Sequence, residues 1–496
     1  MHDMYDFVLV GSGASGGVLA HNLTAAGAKC LLLEAGKYWN ADTFPRSESA
    51  YATQLFWGGG AELEHRARLA FLRGRCVGGT TVVNQALLDR FDDRALNEWR
   101  AITDIDYFTV ESMDKYYKRV EGKLKIHEFT DQELNRNAKL FVQGCERMGY
   151  KWHRLRRGQV NCRQDEGNDC LGCLGGCHLD SKQSTLLACI RKAEQQGLQV
   201  ISECLVHEVD HYGDHVRIHG IRHNEKETFR ARKCILAAGS FGTVKLLLQS
   251  GFGRQLPQLG RRFCTHPQFV SFGVFKEPVD AHKGALQTVG SKDPGFRKQG
   301  FKVANTFAPP VAVSMLLPVT GRDHLRIMRK YRFLSCIEVA IRDEPAGHLL
   351  LDKRGEKLIA KKTLTLQDKV GRDRGRMAAE SIFLQAGAEE VIQSPYALGL
   401  HLMGGCAIGN DAVNSVVNEE FGVHGFENIL IADSSIFPAA PGINPSLTIM
   451  ALSQKLSDEL IGVKPARVLE TGAEPAETAV AGTNGFRKHK RGHDAN

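Results

Sequence analysis

Short apolar runs alternate with helix-like stretches toward both ends of this chain, and strand-like alternation fills its middle. Tyr5-Asp6-Phe7-Val8-Leu9-Val10 is a short apolar run that suits a buried parallel strand. The turn Gly11-Ser12-Gly13-Ala14-Ser15-Gly16 follows, residues 17–26 read as a helix, and Leu31-Leu32-Leu33 is the next strand, ending at Glu34. Residues 95–160 read as mostly helical and polar, with helices predicted over 111–123 and 134–147. Residues 198–209 resemble a strand pair, and 233–239 is an apolar strand ending in Ala-Ala-Gly, with a helix after it to Gly251. From 265 to 395 the alternating strands include 333–340 and 348–352, with one long helix over 371–385. That block has the look of an antiparallel sheet with helices on one face. The style of the opening unit returns over 396–463 and ends in a helix over 446–461, while 464–496 is expected to be disordered. There is no internal repeat.

The opening unit carries the first candidate chemistry. Gly11 makes the tight turn, Gly13 lets the backbone approach a pyrophosphate, and Gly16 lets helix and strand pack closely. The helix N-terminus offers unpaired N–H groups to phosphates. Glu34, about 20 residues on, can accept a hydrogen bond from a ribose hydroxyl. A strand before, a helix after and an acid at the end of the second strand together predict nucleotide binding, where the glycine motif alone would not.

Length and charge narrow the picture only a little. At 496 residues the chain has room for two or more domains, and 24% charged residues is an ordinary globular value. The net charge of +8 falls partly in Arg487-Lys488-His489-Lys490-Arg491, so no nucleic-acid partner is expected. No apolar stretch reaches membrane-spanning length. The first strand begins at about the fifth residue, so a cytoplasmic location is the default expectation, with periplasmic export beside a signal-bearing partner as the alternative.

The 13 cysteines change the picture more. Cys162, Cys170, Cys173 and Cys177 fall within sixteen positions, with glycines between them that permit tight turns. Three readings stay open: a 3Fe-4S or 4Fe-4S iron–sulfur cluster, structural zinc, and a disulfide or structural thiols. The other nine cysteines read as small buried hydrophobes.

Five segments carry a family resemblance: Gly11 to Glu34, Gly78-Gly79-Thr80 to Asn84, Gly239 to Gly253, Leu259-Gly260-Arg261 to His266-Pro267, and His401-Leu-Met-Gly-Gly through Asp433 to Asn444-Pro445. The chain resembles the glucose–methanol–choline (GMC) flavoprotein oxidoreductases over about residues 4–463. The cysteine run with Lys182-Gln183-Ser184-Thr185 is similar to long-chain alcohol oxidases and cluster-bearing sugar dehydrogenases, and the ending to the cholesterol oxidase branch. The resemblance implies an α/β fold (α+β overall), in which a Rossmann-like FAD-binding domain over 1–110, 160–264 and 396–463 is interleaved with an antiparallel-sheet substrate domain over 265–395. Residues 111–159 are expected to be a mostly helical insertion.

The resemblance also implies roles. His401 would take the hydroxyl proton of an alcohol while hydride passes to the flavin N5, and Asn444 would orient the alcohol oxygen. FAD would lie against Gly11, Gly13, Ser15, Gly16, Glu34, Gly78, Gly79, Thr80, Asn84, Ala238, Gly239, Asp433 and Asn444, with the adenine meeting the backbone of Val206. Ala432-Asp433-Ser434-Ser435 also reads as a helix-capping turn. A cluster implies a dehydrogenase with an electron-carrier protein or small accessory subunit; its absence implies oxygen as acceptor. A flavin and cluster electron-transfer subunit without alcohol chemistry is a further alternative, and a flavoprotein using FAD only structurally a third.

Three departures matter. Val83 stands where some relatives attach the flavin through histidine, so non-covalent FAD is expected. Ala407-Ile408-Gly409 replaces an Arg-Met-Gly common in the family, and Thr243-Val244 replaces Ser/Thr-Pro. The apolar run over 307–318 reads either as the lining of a lipid or sterol pocket or as ordinary sheet core.

Overall fold

The structure, a computed structural model, describes residues 4–162 and 170–462. The expected disordered tail over 464–496 lies outside the described residues, as do residues 163–169 of the cysteine run.

Two sheets organise the chain. The first has eight strands around a parallel centre, in the order Gly422–Val423, Phe426–Ile431, Glu225–Leu236, Tyr5–Val10, Cys30–Leu33 and Gln199–Ile201. Val8, Leu9 and Val10 are buried, as a strand covered on both faces requires. The strands Cys204–Tyr212 and His215–Arg222 fold back antiparallel onto Glu225–Leu236. Helices Ala14–Ala25 and Ser446–Gly462 pack together on this sheet. Asn22 Nδ2 donates to Gln454 Oε1 at 3.0 Å and to Ser457 Oγ at 2.7 Å, so the two ends of the described chain share one buried polar contact.

The second sheet has nine strands, with Pro267–Val274, Leu334–Ile341 and Phe301–Asn305 antiparallel at its centre. It also takes Glu62–Leu63, Leu69–Phe71, His153–Arg154 and Ala397–Gly399 from outside the 265–395 block. The long helix covers it, and begins five residues earlier than the pattern predicts, at Leu366. Thr365 and Asp368 form a capping box there, which supplies the start that apolar spacing does not announce. At Gly375 an added Cβ would lie 2.2 Å from Val339 Cγ1, so the helix backbone packs directly on the side chains of the sheet. The architecture is mixed α/β.

One expectation fails. The run over 307–318 is not sheet core: it contains the helix Pro310–Leu316, with Val311 52% and Met315 73% exposed and Val313 buried. Proline at the first helical position favours that start, and Pro309 keeps the preceding chain extended. Hydrophobicity alone misread it.

Candidate functional site

A cradle forms where the parallel strands end. A Cβ at Gly11 would lie 2.5 Å from the Ala237 carbonyl oxygen, and one at Gly16 would lie 1.9 Å from that of Gly11. Only hydrogen fits, and helix and strand therefore close up. Gly13 faces the other way, with nothing within 4 Å of an added Cβ, the clearance a backbone needs to approach a phosphate. The helix starts there without a side-chain cap, and the Ser15 hydroxyl is buried with no hydrogen-bond partner among the described residues. Both features fit an anionic pyrophosphate.

The second glycine loop packs on the first. An added Cβ at Gly79 would lie 2.9 Å from Gly13 Cα, and Gly78 N–H donates to Ser12 Oγ at 2.9 Å. Ser12 in turn donates to Glu34 Oε2 at 2.6 Å. The Glu34 carboxylate also accepts from the Ser12 and Gly36 amides, so it holds the two loops in place. Burial pushes its carboxyl up from the usual range, with these hydrogen bonds opposing. Cys204 N–H donates to the Glu34 carbonyl, and half-buried Val206 lies two residues on. Thr80 opens the short helix Thr80–Val83 and accepts from Gly74 N–H; Asn84 closes it and accepts from Ala86 N–H at 2.9 Å. Ala238 precedes the helix Gly239–Gln249, whose first amide donates to Asp433 Oδ2 at 2.8 Å. Asp433 also accepts from Thr243 Oγ1 at 2.6 Å and Ser435 N at 2.8 Å, so it does cap its own turn.

Two residues in this cradle escape sequence reasoning about roles. Lys182, 4% exposed, donates to the carbonyls of Val82 at 2.7 Å, Asn84 at 2.9 Å and Cys173. Its three N–H groups thus find three acceptors. Thr185 Oγ1 lies 2.9 Å from Thr81 Oγ1. The only signal was their place directly after the cysteine run.

His401 and Asn444 lie at the neighbouring polar cluster. The two rings of His266 and His401 meet through their Nδ1 atoms at 2.9 Å. Gly442 N–H donates to His266 Nε2 at 2.9 Å, so the His266 hydrogen sits on Nδ1 and is donated to His401. His401 in this free form carries its own hydrogen on Nε2. Burial, and then the charge of Lys302, lowers His401 to about 3; burial also holds His266 well below the usual histidine range. Asn444, 7% exposed, accepts from Lys302 Nζ at 2.6 Å and donates to Asp89 Oδ2 at 3.2 Å. Lys292 Nζ pairs with the other Asp89 oxygen at 2.9 Å.

Two of the thiols in the cysteine run have hydrogen-bond partners of their own. Cys173 Sγ accepts from Arg157 at 2.8 Å, and Cys177 Sγ accepts from Ser181 N–H at 3.3 Å. Burial opposes ionisation of Cys173, but Lys182 and Arg157 outweigh it and lower the thiol. Among the described residues no group of three or more His, Cys, Asp or Glu side chains is placed to hold a metal, and the Cys170 side chain is not among those described. A cluster site at Cys162, Cys173 and Cys177 is not shown among the described residues.

Comparison with known proteins agrees with this geometry. Family models for GMC oxidoreductases match residues 52–268 and 354–453. A GMC-type oxidoreductase of Sinorhizobium fredii, y4nJ, is 27% identical over 498 residues, covering 91% of this chain and 94% of that protein. The long-chain-alcohol oxidase FAO4B of Arabidopsis thaliana is 26% identical over 516 residues, covering 92% of this chain and 67% of that protein. In fold the chain is similar to pyridoxine 4-oxidase from Mesorbium loti, with a TM-score of 0.69 at 16% identity over 92% of this chain and 99% of that one. The chain belongs to the GMC oxidoreductase family of FAD-binding flavoenzymes.

Proposed function

We propose that this protein oxidises an alcohol to a carbonyl compound, with FAD held non-covalently in the cradle between Gly11–Gly16, Glu34, the Gly78–Asn84 loop and Asp433. The observation that carries the reading is the polar cluster at its edge, where Lys302 bonds Asn444 and its charge acts on His401. FAD, when bound, supplies the acceptor for the hydride of the alcohol carbon. The protein's own work is to hold the alcohol oxygen and remove its proton, without which hydride loss is slow.

Asn444 is held from both sides by Lys302 and Asp89, and so presents a fixed amide to the oxygen. His401 meets the same oxygen through Nε2. In the free form that nitrogen is a donor and binds the alcohol oxygen. Its base form needs the shared hydrogen on His401 Nδ1 and the His266 hydrogen on Nε2, at the expense of the Gly442 bond. Losing one such bond costs about 1–3 kcal/mol, within reach of substrate binding.

The test is anaerobic mixing with a primary alcohol while flavin absorbance is followed. His401→Ala is expected to slow bleaching by about 10²–10⁴-fold with FAD still bound. Unchanged bleaching would overturn the assignment.

Oxygen is the acceptor we favour over a cluster-linked carrier protein. The described thiols do not form a ligand set, and FAO4B and pyridoxine 4-oxidase are both oxidases by name. One hydrogen peroxide per carbonyl formed is expected, without iron. Iron and acid-labile sulfide near one cluster per flavin, in protein purified without air, would instead make Cys162, Cys170, Cys173 and Cys177 a cluster site.

A further inference from the structure

Two short helices, Pro310–Leu316 and Gly321–Met328, follow the strand Phe301–Asn305 of the second sheet. The first is held at its start by the Val311 and Ala312 amides, which donate to the two Glu48 carboxylate oxygens at 2.9 and 2.8 Å. His324 joins the second to the first, since its Nε2 lies 3.1 Å from both the hydroxyl and the carbonyl oxygen of Ser314. Val313 and Ile327 are buried, so each helix keeps one apolar side chain inside. The pair is therefore a fixed part of the surface.

What the pair turns outward is apolar and basic. Val311 and Met315 lie one helical turn apart on one face, and both are exposed. Met315 and Leu325, 73% and 52% exposed, each directly follow a residue of the Ser314–His324 contact. At about 3.6 residues per turn, Arg322, Leu325, Arg326 and Arg329 share the face opposite buried Ile327, and all four are exposed. Arg326 is paired with Asp323 at 3.7 Å and Glu390 at 3.3 Å, and Arg332 with Asp280 at 2.7 Å. Arg322, Arg329 and Lys330 have no acidic partner among the described residues. Three protruding apolar side chains thus stand beside three uncompensated cations.

We propose that this helix pair docks on an anionic lipid bilayer. Val311, Met315 and Leu325 enter the headgroup layer, while Arg322, Arg329 and Lys330 meet the lipid phosphates. Charge decides the sign of the partner, and protrusion decides its kind. A folded protein takes up such side chains in pockets shaped for each, whereas a bilayer accepts any apolar group that stands out from the surface. Arginine and lysine stems extend the apolar area and still keep their charges in the headgroup layer. Among the described residues no helix is long and apolar enough to cross a membrane, so these helices lie on one side of it. Each cation near such a surface raises partitioning about fivefold, and three together about a hundredfold, an effect that salt screens. The contact holds whether or not the flavin site oxidises an alcohol.

The experiment sediments the full-length, FAD-loaded protein with vesicles of phosphatidylcholine, alone or mixed with phosphatidylglycerol, in low and in high salt. Binding to the charged vesicles is expected to be at least about tenfold tighter in low salt, with most of that difference gone in high salt. Met315→Asp combined with Leu325→Asp, both at exposed positions and checked for native melting temperature and flavin, is expected to weaken binding by at least about tenfold. Arg322→Gln combined with Lys330→Gln is expected to lower the preference for charged lipid severalfold. Variants that bind like the wild type overturn the assignment and place the lipid contact elsewhere, the basic run Arg487-Lys488-His489-Lys490-Arg491 included. Absence of binding to charged vesicles in low salt overturns it as well and leaves the helix pair to a protein partner. A mass that then rises with concentration would make that partner a second copy of this chain.

Discussion

At the scale of single residues the two histidines decide most. His401 has no titrating role of its own near neutral pH, since burial and Lys302 lower it to about 3. What His266 adds is the choice of which nitrogen carries hydrogen. Replacing His266 by Leu removes that choice while leaving an apolar side chain in a buried place. We expect flavin reduction to slow by about 10–100-fold with a changed solvent hydrogen isotope effect, and His266→Gln, which can donate or accept, to restore part of the rate. A Leu variant with native rate and isotope effect would show the pair to be uncoupled. This contact was partly legible: His266-Pro267 and His401 were both in the segments that carried the family resemblance, but nothing in one sequence says that residues 135 positions apart meet through Nδ1 atoms. Lys302 was not legible at all. The whole strand Phe301–Asn305 is buried, and the lysine is kept there by Asp89, Glu338 and Asn444.

Among the elements, those with a strong local cause were the readable ones. The strand Tyr5–Val10, the helix Ala14–Ala25 and the helix Ser446–Gly462 fall within three residues of the expected spans, because apolar runs and glycine turns act locally. Strands of two or three residues, such as Glu62–Leu63 and His153–Arg154, have no period to detect, so their place in the second sheet is set by tertiary pairing. The tightest element contact is also the most breakable. Gly16→Ala puts a methyl group 1.9 Å from the Gly11 carbonyl oxygen, against backbone that cannot yield without opening the phosphate turn. The expected result is protein purified largely free of FAD and with a lowered melting temperature. Gly13→Ala, which meets nothing within 4 Å in the free protein, is expected to keep its fold and lose affinity for FAD alone. Equal flavin content and melting temperature in wild type and Gly16→Ala would contradict the packing argument.

For the molecule as a whole, three imidazoles, His266 buried and His153 and His401 partly so, make acid the weak side. His153, at about 4, His401, at about 3, and His266, well below the ordinary value, stay neutral when folded, whereas the unfolded chain takes up protons near 6.5. The folded pKa values are depressed, so the stability these groups contribute is complete above about pH 6.5. It is lost as pH falls from there toward 4 and then 3. A melting temperature that drops steadily through this window is expected, with the His153→Phe variant dropping less; a flat profile between pH 6.5 and 4 would contradict it.

The Lys182 ammonium, finally, makes the thiol segment and the flavin loop one mechanical part. One cation is shared among the carbonyls of Val82, Asn84 and Cys173, so neither segment shifts without breaking bonds in the other. Filling the cradle should then restrain the Cys173 sulfur through that shared cation. Alkylation of Cys173, whose thiol is already lowered by Lys182 and Arg157, should run slower in the FAD-loaded protein than in the stripped one, and that difference should vanish in Lys182→Met.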